Sequence, residues 1–223
     1  MTPTERPVGM TVEMVRAILD GSKTETRRPV KRQPGPNVVR WDFIKDGSVW
    51  HTREEGHRLL SGRHTPPLGV VGDLVYVRER ARVKTVDDRL RELIVRYEAD
   101  GCRDAIPWPE RIKRPTVGHC LANGVFKEGA RLWLRIDSVD VERVQSITEE
   151  AAQREGFAPT PVHGEWVIKE RADGGHWSAR KPFAETWQAI YASRPGLAFD
   201  DDPWVWAHRF SLVSTTGRAG VSS

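Results

Sequence analysis

The sequence predicts an α+β fold, a small mixed β-barrel with short flanking helices and long loop insertions. Strand-like runs of alternating or β-branched residues recur at 70–78, 93–99, 131–144 and 203–213. The helical stretches between them are short, with neither βαβ alternation nor an internal repeat. With 38% apolar residues in a chain of 223, a real core can be buried, which suits one domain with elaborations.

Thr11 to Asp20 reads as an amphipathic helix, with Met14, Val15, Ile18 and Leu19 on one face, Thr11 as N-cap and Gly21 as the stop. Residues 29–69 mix prolines, glycines, charges and scattered aromatics, which predicts a long irregular excursion with a hairpin around Asp46-Gly47. Strands follow at Val70–Arg78, with a turn at Gly72-Asp73, and at Leu93–Ala99, before the turn Asp100-Gly101. The clearest strand covers Arg131–Val144, with an irregularity near Asp137-Ser138. Ser146 and Glu149 have capping-box spacing, Thr148 is a second candidate N-cap, and Gly156 closes a two-turn helix that ends at Glu155. Gly164–Ile168 has strand character, broken at Asp173-Gly174-Gly175. Pro182 suits a first helical turn, and helical spacing then runs through Phe183, Trp187, Ile190 and Tyr191 to Pro195-Gly196. A closing strand spans Pro203–Val213, and residues 214–223 read as a frayed tail.

The net charge is +4, and the basic surplus lies in the first half. Between 21 and 32, Lys23, Arg27, Arg28, Lys31 and Arg32 face Glu25 alone, a field suited to phosphate or another anion, or simply a solvated basic loop. Nine tryptophans are unusual; most should be core, while Trp41, Trp50 or Trp108 could stack on a base. No apolar run approaches a membrane span and the first ten residues lack a signal core, so no membrane partner and a cytoplasmic location are expected. Cys102 and Cys120 form no CxxC pair, so free thiols are expected. His119, Cys120 and Cys102 lack a fourth ligand at sensible spacing, and there is no P-loop, nucleophile elbow or H-E-x-x-H, so neither a metal nor a cofactor is expected.

A short helix followed by Gly21, Lys23, Thr26 and Arg28 in the pattern G-x-K-x-x-T-x-R, then Gly72-Asp73-Leu74-Val75, Ile147-Thr148-Glu149 through Glu155, and Trp204–Leu212, resembles the ASCH family of the PUA-like barrel superfamily. The likeness spans about 8–213 and implies a single domain over 1–213, with insertions at about 29–69, 100–130 and 157–200. Thr26-Arg27-Arg28, Val77-Arg78-Glu79 and Pro203-Trp204-Val205-Trp206 also look like the larger ASCH-like proteins of phages and prophages. Some small ASCH proteins are amidohydrolases that remove the acyl group from N4-acetylcytidine with a Lys, a Thr and a Glu. The resemblance maps these onto Lys23, Thr26 and Glu155.

That chemistry is coherent on the residues themselves. A threonine hydroxyl is a weak nucleophile until a base takes its proton. Lys23 could do so if burial and the neighbouring Arg27 and Arg28 lower its pKa, and Glu155 could protonate the leaving amine. Three functions stay open: an N-acyl hydrolase acting on a nucleoside, a non-catalytic reader of RNA or DNA, and a phage structural or interaction protein. Arg27, Arg28, Lys31 and Arg32 are the candidate anion contacts. Glu79, Arg78, Trp41 and Trp108 are secondary candidates, and a cross-strand ion pair is the plainer reading of Glu79.

Overall fold

In a computed structural model the chain is described over residues 3–35, 37–44, 49–55, 58–161 and 177–217. In chain order the elements are β1 (Glu5–Gly9), α1 (Val12–Leu19), β2 (Glu25–Pro29), β3 (Val38–Phe43), β4 (Val49–Glu55), β5 (Arg58–His64) and β6 (Leu74–Arg78). Then come β7 (Ala81–Asp87), β8 (Glu92–Tyr97), β9 (Arg103–Pro107), β10 (Trp133–Arg143), α2 (Glu149–Arg154), β11 (Thr160–Pro161), β12 (Trp177–Ser178), α3 (Arg180–Tyr191) and β13 (Trp204–Ser214). The fold class is α+β. Among the described residues no helix is long and apolar enough to cross a membrane.

Two compact units are present. The first comprises Met1–Gly21, Gly72–Ile136 and Phe210–Ser223. In it β1 runs parallel to β6, with Glu5 opposite Leu74, and β6 runs antiparallel to the start of β10, with Tyr76 opposite Trp133. Strands β7, β8 and β9 form an antiparallel meander over a core of Val83, Leu93, Val95, Tyr97, Ile106 and Trp108. Thr11 caps α1 by accepting from the Met14 amide at 3.3 Å, and Gly21 leaves the helix at φ 81°, a left-handed value that glycine adopts without strain.

The second unit comprises Ser22–Val71 and Asp137–Arg209. Its principal sheet runs β10-β13-β2, with β2 antiparallel to β13. Helices α2 and α3 pack through Ala151, Ala152, Phe183 and Trp187 against Val144, Phe199 and Val205. Here the reading of 29–69 as irregular is corrected, because β3, β4 and β5 form an antiparallel sheet with one register shift between Val38 and Arg40. Prolines at the ends of that stretch bound it without interrupting it, and Val49 and Trp41 bury against Trp206, Val30 and Trp204. The hairpin turn at Asp46-Gly47, the strand at 164–168, the break at 173–175 and the end of the tail lie outside the described residues.

The N-cap of α2 also differs from a Ser146 capping box. Thr148 accepts from the Ala151 amide at 3.1 Å, while Ser146 donates to the Arg143 carbonyl at 2.6 Å. Glu149 is drawn away from the box because its carboxylate accepts from the Ala179 amide and the Ser178 hydroxyl.

Candidate functional site

The predicted signature lies where β2 begins. Successive side chains of a strand face opposite sides of the sheet. Glu25 and Arg27 therefore share one face, opposite Arg209 and Ala207 of β13, while Thr26 and Arg28 share the other, opposite His208 and Trp206.

Lys23 sits just ahead of the strand and meets the C-terminus of α2 in an isolated antiparallel bridge to Glu155; the Thr24 amide donates to the Arg154 carbonyl at 2.8 Å. Glu155 is the C-cap of α2, and Gly156 turns the chain away at φ 92°. This brings together two residues separated by 132 positions: Lys23 Nζ donates to Glu155 Oε2 at 2.7 Å, to the Glu155 carbonyl at 2.8 Å and to the Glu25 carbonyl at 2.8 Å. All three ammonium protons are thus engaged. The Lys23 side chain is 0% exposed and that of Glu155 4%. Burial holds the Lys23 pKa below the ordinary lysine value; Glu155 opposes the shift, and Arg28 and Arg27 add to it.

A charged network continues from this pair. Arg27 Nη1 lies 3.4 Å from Glu155 Oε1, and its Nη2 lies 2.6 Å from Glu25 Oε1 and 2.7 Å from Glu142 Oε1. Glu25 Oε2 in turn accepts from Arg154 at 2.7 Å and Arg209 at 3.2 Å. Burial alone would raise the Glu25 pKa, but Arg27, Arg154 and Arg209 outweigh it and the net shift is downward. For Arg27 burial works against the charge, and Glu155, Glu142 and Glu25 reverse it, so its pKa is raised. Glu25, Arg27, Glu142, Arg154 and Arg209 line a cleft of ≈ 410 Å³, so Arg27 is both a cleft wall and a direct neighbour of Glu155.

On the opposite face Thr26 is buried, and its Oγ1 accepts from Arg28 Nη1 at 2.8 Å. No hydrogen bond joins Lys23 to Thr26 among the described residues. His208, directly across from Thr26, is fully buried, and neither ring nitrogen makes a well-formed hydrogen bond. Burial, with the nearby Arg28 charge, lowers its pKa to about 4 against a weak opposing contact from the Gly69 backbone, so the imidazole is neutral at pH 7.

The remaining candidates fall elsewhere. Lys31 and Arg32 are exposed after β2. Glu79 and Arg78 belong to the first unit; Glu79 is buried and pairs with Arg131 at 2.8 Å, while Arg131 also reaches Asp100 at 2.8 Å. Trp41 packs among His51, His64 and Trp204 in the second unit. Trp108 is buried in the core of the first unit, where its Nε1 donates to the Ile112 carbonyl at 2.9 Å and Arg91 lies 3.8 Å over its ring. Among the described residues no group of three or more His, Cys, Asp or Glu could hold a metal ion, and Cys102 and Cys120 are free thiols.

Sequence reasoning missed Glu142, Arg154, Arg209 and His208. The last two were reachable: aligning the predicted terminal strand antiparallel to the signature sets them opposite Glu25 and Thr26. Glu142 and Arg154 carry no local signal of a role.

No family model matches the chain, and no curated protein matches it. Among solved structures it is similar to protein EF3133 from Enterococcus faecalis V583, described as family-model DUF984. The identity is 11%, over 96% of this chain and 78% of that one, with a TM-score of 0.38.

Proposed function

We propose that the protein has an ASCH-type, PUA-like barrel fold and is an amidohydrolase that removes an N-acyl group from a modified cytidine, using Lys23, Thr26 and Glu155. The observation that carries the reading is the enclosed 2.7 Å contact between Lys23 Nζ and Glu155 Oε2. Burying two opposite charges costs several kcal/mol per ion, a cost that an apolar pair of similar volume avoids, so an enclosed pair in which burial lowers the lysine pKa supports a role in proton transfer.

Passing the shared proton along the Lys23–Glu155 hydrogen bond gives a neutral amine and a carboxylic acid, one base and one proton donor. The amine then leaves the Glu25 and Glu155 carbonyls and turns to Thr26, which it does not reach at rest, and takes the hydroxyl proton as Oγ1 bonds to the acyl carbon. Arg28 beside that oxygen favours its anionic form. The C–N bond then breaks, and Glu155 protonates the departing exocyclic nitrogen. Water cleaves the Thr26 ester, giving one proton to Glu155 while Lys23 returns its proton to Thr26.

The cleft beside Arg27 is lined by Arg27, Arg154 and Arg209 together with Glu25, Asp140 and Glu142, so it offers donors and acceptors to a polar ligand. A second reading, a non-catalytic reader of a base in RNA or DNA, is favoured by one observation: the three donors of Lys23 are engaged and none reaches Thr26. The two readings separate on incubation with N4-acetylcytidine and longer N4-acyl homologues, followed by mass spectrometry. Release of cytidine that disappears in Thr26→Val supports hydrolysis; binding without turnover supports the reader.

A further inference from the structure

The first unit holds a cleft of ≈ 580 Å³ lined by Arg78, Arg111, Lys113, Arg114, Lys127 and His119, with no acidic residue in its lining. That volume is within the range of small-ligand sites. Three of these cations have a partner outside the cleft: Arg111 with Glu128 at 2.6 Å, Arg114 with Asp88 at 2.7 Å and Lys127 with Glu5 at 2.5 Å. The Arg111 side chain is 57% exposed and meets Glu128 through a single contact, so that pair is weakly held, whereas Arg114 grips Asp88 through two bonds, Nε to Oδ1 at 2.8 Å and Nη2 to Oδ2 at 2.7 Å. Arg78 and Lys113 form no ion pair among the described residues. Arg78 is half-buried at the end of β6, so its charge is presented from a strand and not from a loop tip.

The rest of the cleft is mostly apolar, includes two aromatic rings and is held in place. Tyr76 and Phe126 are half-buried, line it, and pack on the core of the unit. The Tyr76 ring is fixed 5.6 Å from Trp133. Residues 121–125 are tied down by the Leu121 amide donating to Ala81 at 2.9 Å and the Val125 amide to Glu79 at 2.9 Å. At Gly124, with φ 77°, a Cβ would lie 2.6 Å from the Arg78 carbonyl oxygen, so a bare backbone is required for this wall to close on β6. The site is therefore formed in advance, and binding need not order it.

Cations without acids call for an anion, and an aromatic wall beside them calls for a flat, polarisable ring. We propose that this cleft binds a nucleotide, free or as one unit of a single strand, with its phosphate on Arg78 and Lys113 and its base against Tyr76 and Phe126. The site does not depend on the Lys23–Glu155 chemistry, whose residues all belong to the other unit.

Adenosine monophosphate, a short fluorescent oligothymidylate and inorganic phosphate are titrated into the full chain at low and moderate salt. Adenosine monophosphate or the oligonucleotide binds at least about tenfold more tightly than phosphate, the equivalent of one stacked base. Affinity falls with salt, as phosphate contacts require. Lys113→Glu, on an exposed segment that keeps the fold, and Arg78→Gln each weaken binding at least about tenfold; Phe126→Ala weakens the nucleotide but not phosphate. Binding of the oligonucleotide alone assigns the site to a strand, and equal binding of the mononucleotide assigns it to the free ligand. Phosphate binding as tightly as either, or an affinity unchanged in Lys113→Glu, overturns the proposal.

Discussion

Replacing Lys23 with methionine should be among the most costly single substitutions in the second unit. The change removes three hydrogen bonds of 2.7–2.8 Å and leaves Glu155 with Arg27, at 3.4 Å, as its nearest cation. Losing one partner of a buried pair costs about 3–5 kcal/mol. The orphaned Glu25 and Glu155 carbonyls place this variant at the upper end. For a chain of this length each kcal/mol lowers Tm by about 2–4 °C, so a fall of about 10 °C or more is expected by calorimetry, with a matching drop in urea midpoint. The double variant Lys23→Met/Glu155→Leu should recover to within about 2 kcal/mol of wild type, because an apolar pair of similar volume removes the need to bury charge. Arg27 keeps Glu25 and Glu142 in that variant. A single-variant loss under about 1 kcal/mol, or a double variant no more stable than Lys23→Met, would refute the assignment of the pair as a buried, mutually dependent unit.

Three further outcomes follow from the same contacts. His208 has a folded pKa of about 4 against 6.5 unfolded, so the unfolded chain binds more protons between those values and its contribution falls as pH drops through them. Wild type should lose about 3 kcal/mol more than His208→Phe on going from pH 7 to below pH 4, measured by denaturant titration. Thr26→Val should hold the fold, since a β-branched residue suits the strand, and should abolish turnover without changing Tm by more than about 3 °C. Arg131→Ala should destabilise by about 3 kcal/mol at neutral pH, because it strips Glu79 of its main counter-charge. Burial already raises the Glu79 pKa, with Arg131 opposing, so this loss should shrink as pH falls and Glu79 is protonated; Arg131→Ala/Glu79→Gln should rescue it at pH 7.

What could be read from the sequence was what local chemistry decides. Thr11 and Thr148 announce helix starts through their hydroxyls, and Gly21 and Gly156 announce the ends through positive φ. The long alternation around Leu132, Leu134 and Ile136 marks β10 by its period. Short strands with weak alternation escaped: β1 carries a proline in five residues, and β3 to β5 hide among charges, their regularity coming from pairing partners and not from composition. The same division holds at the site. Lys23, Thr26 and Arg28 lie in one motif and are legible together. Glu142 and Arg154 join only because packing of distant segments brings them to β2, while His208 and Arg209 become legible once the terminal strand is paired with it.

The most direct test of the Lys23–Glu155 chemistry is to compare N4-acetylcytidine turnover by wild type and by Lys23→Met/Glu155→Leu at matched folded fraction. We expect cytidine and acetate from wild type, and no release above the uncatalysed rate from the folded double variant. Equal turnover by the two proteins, or none by wild type, would contradict it.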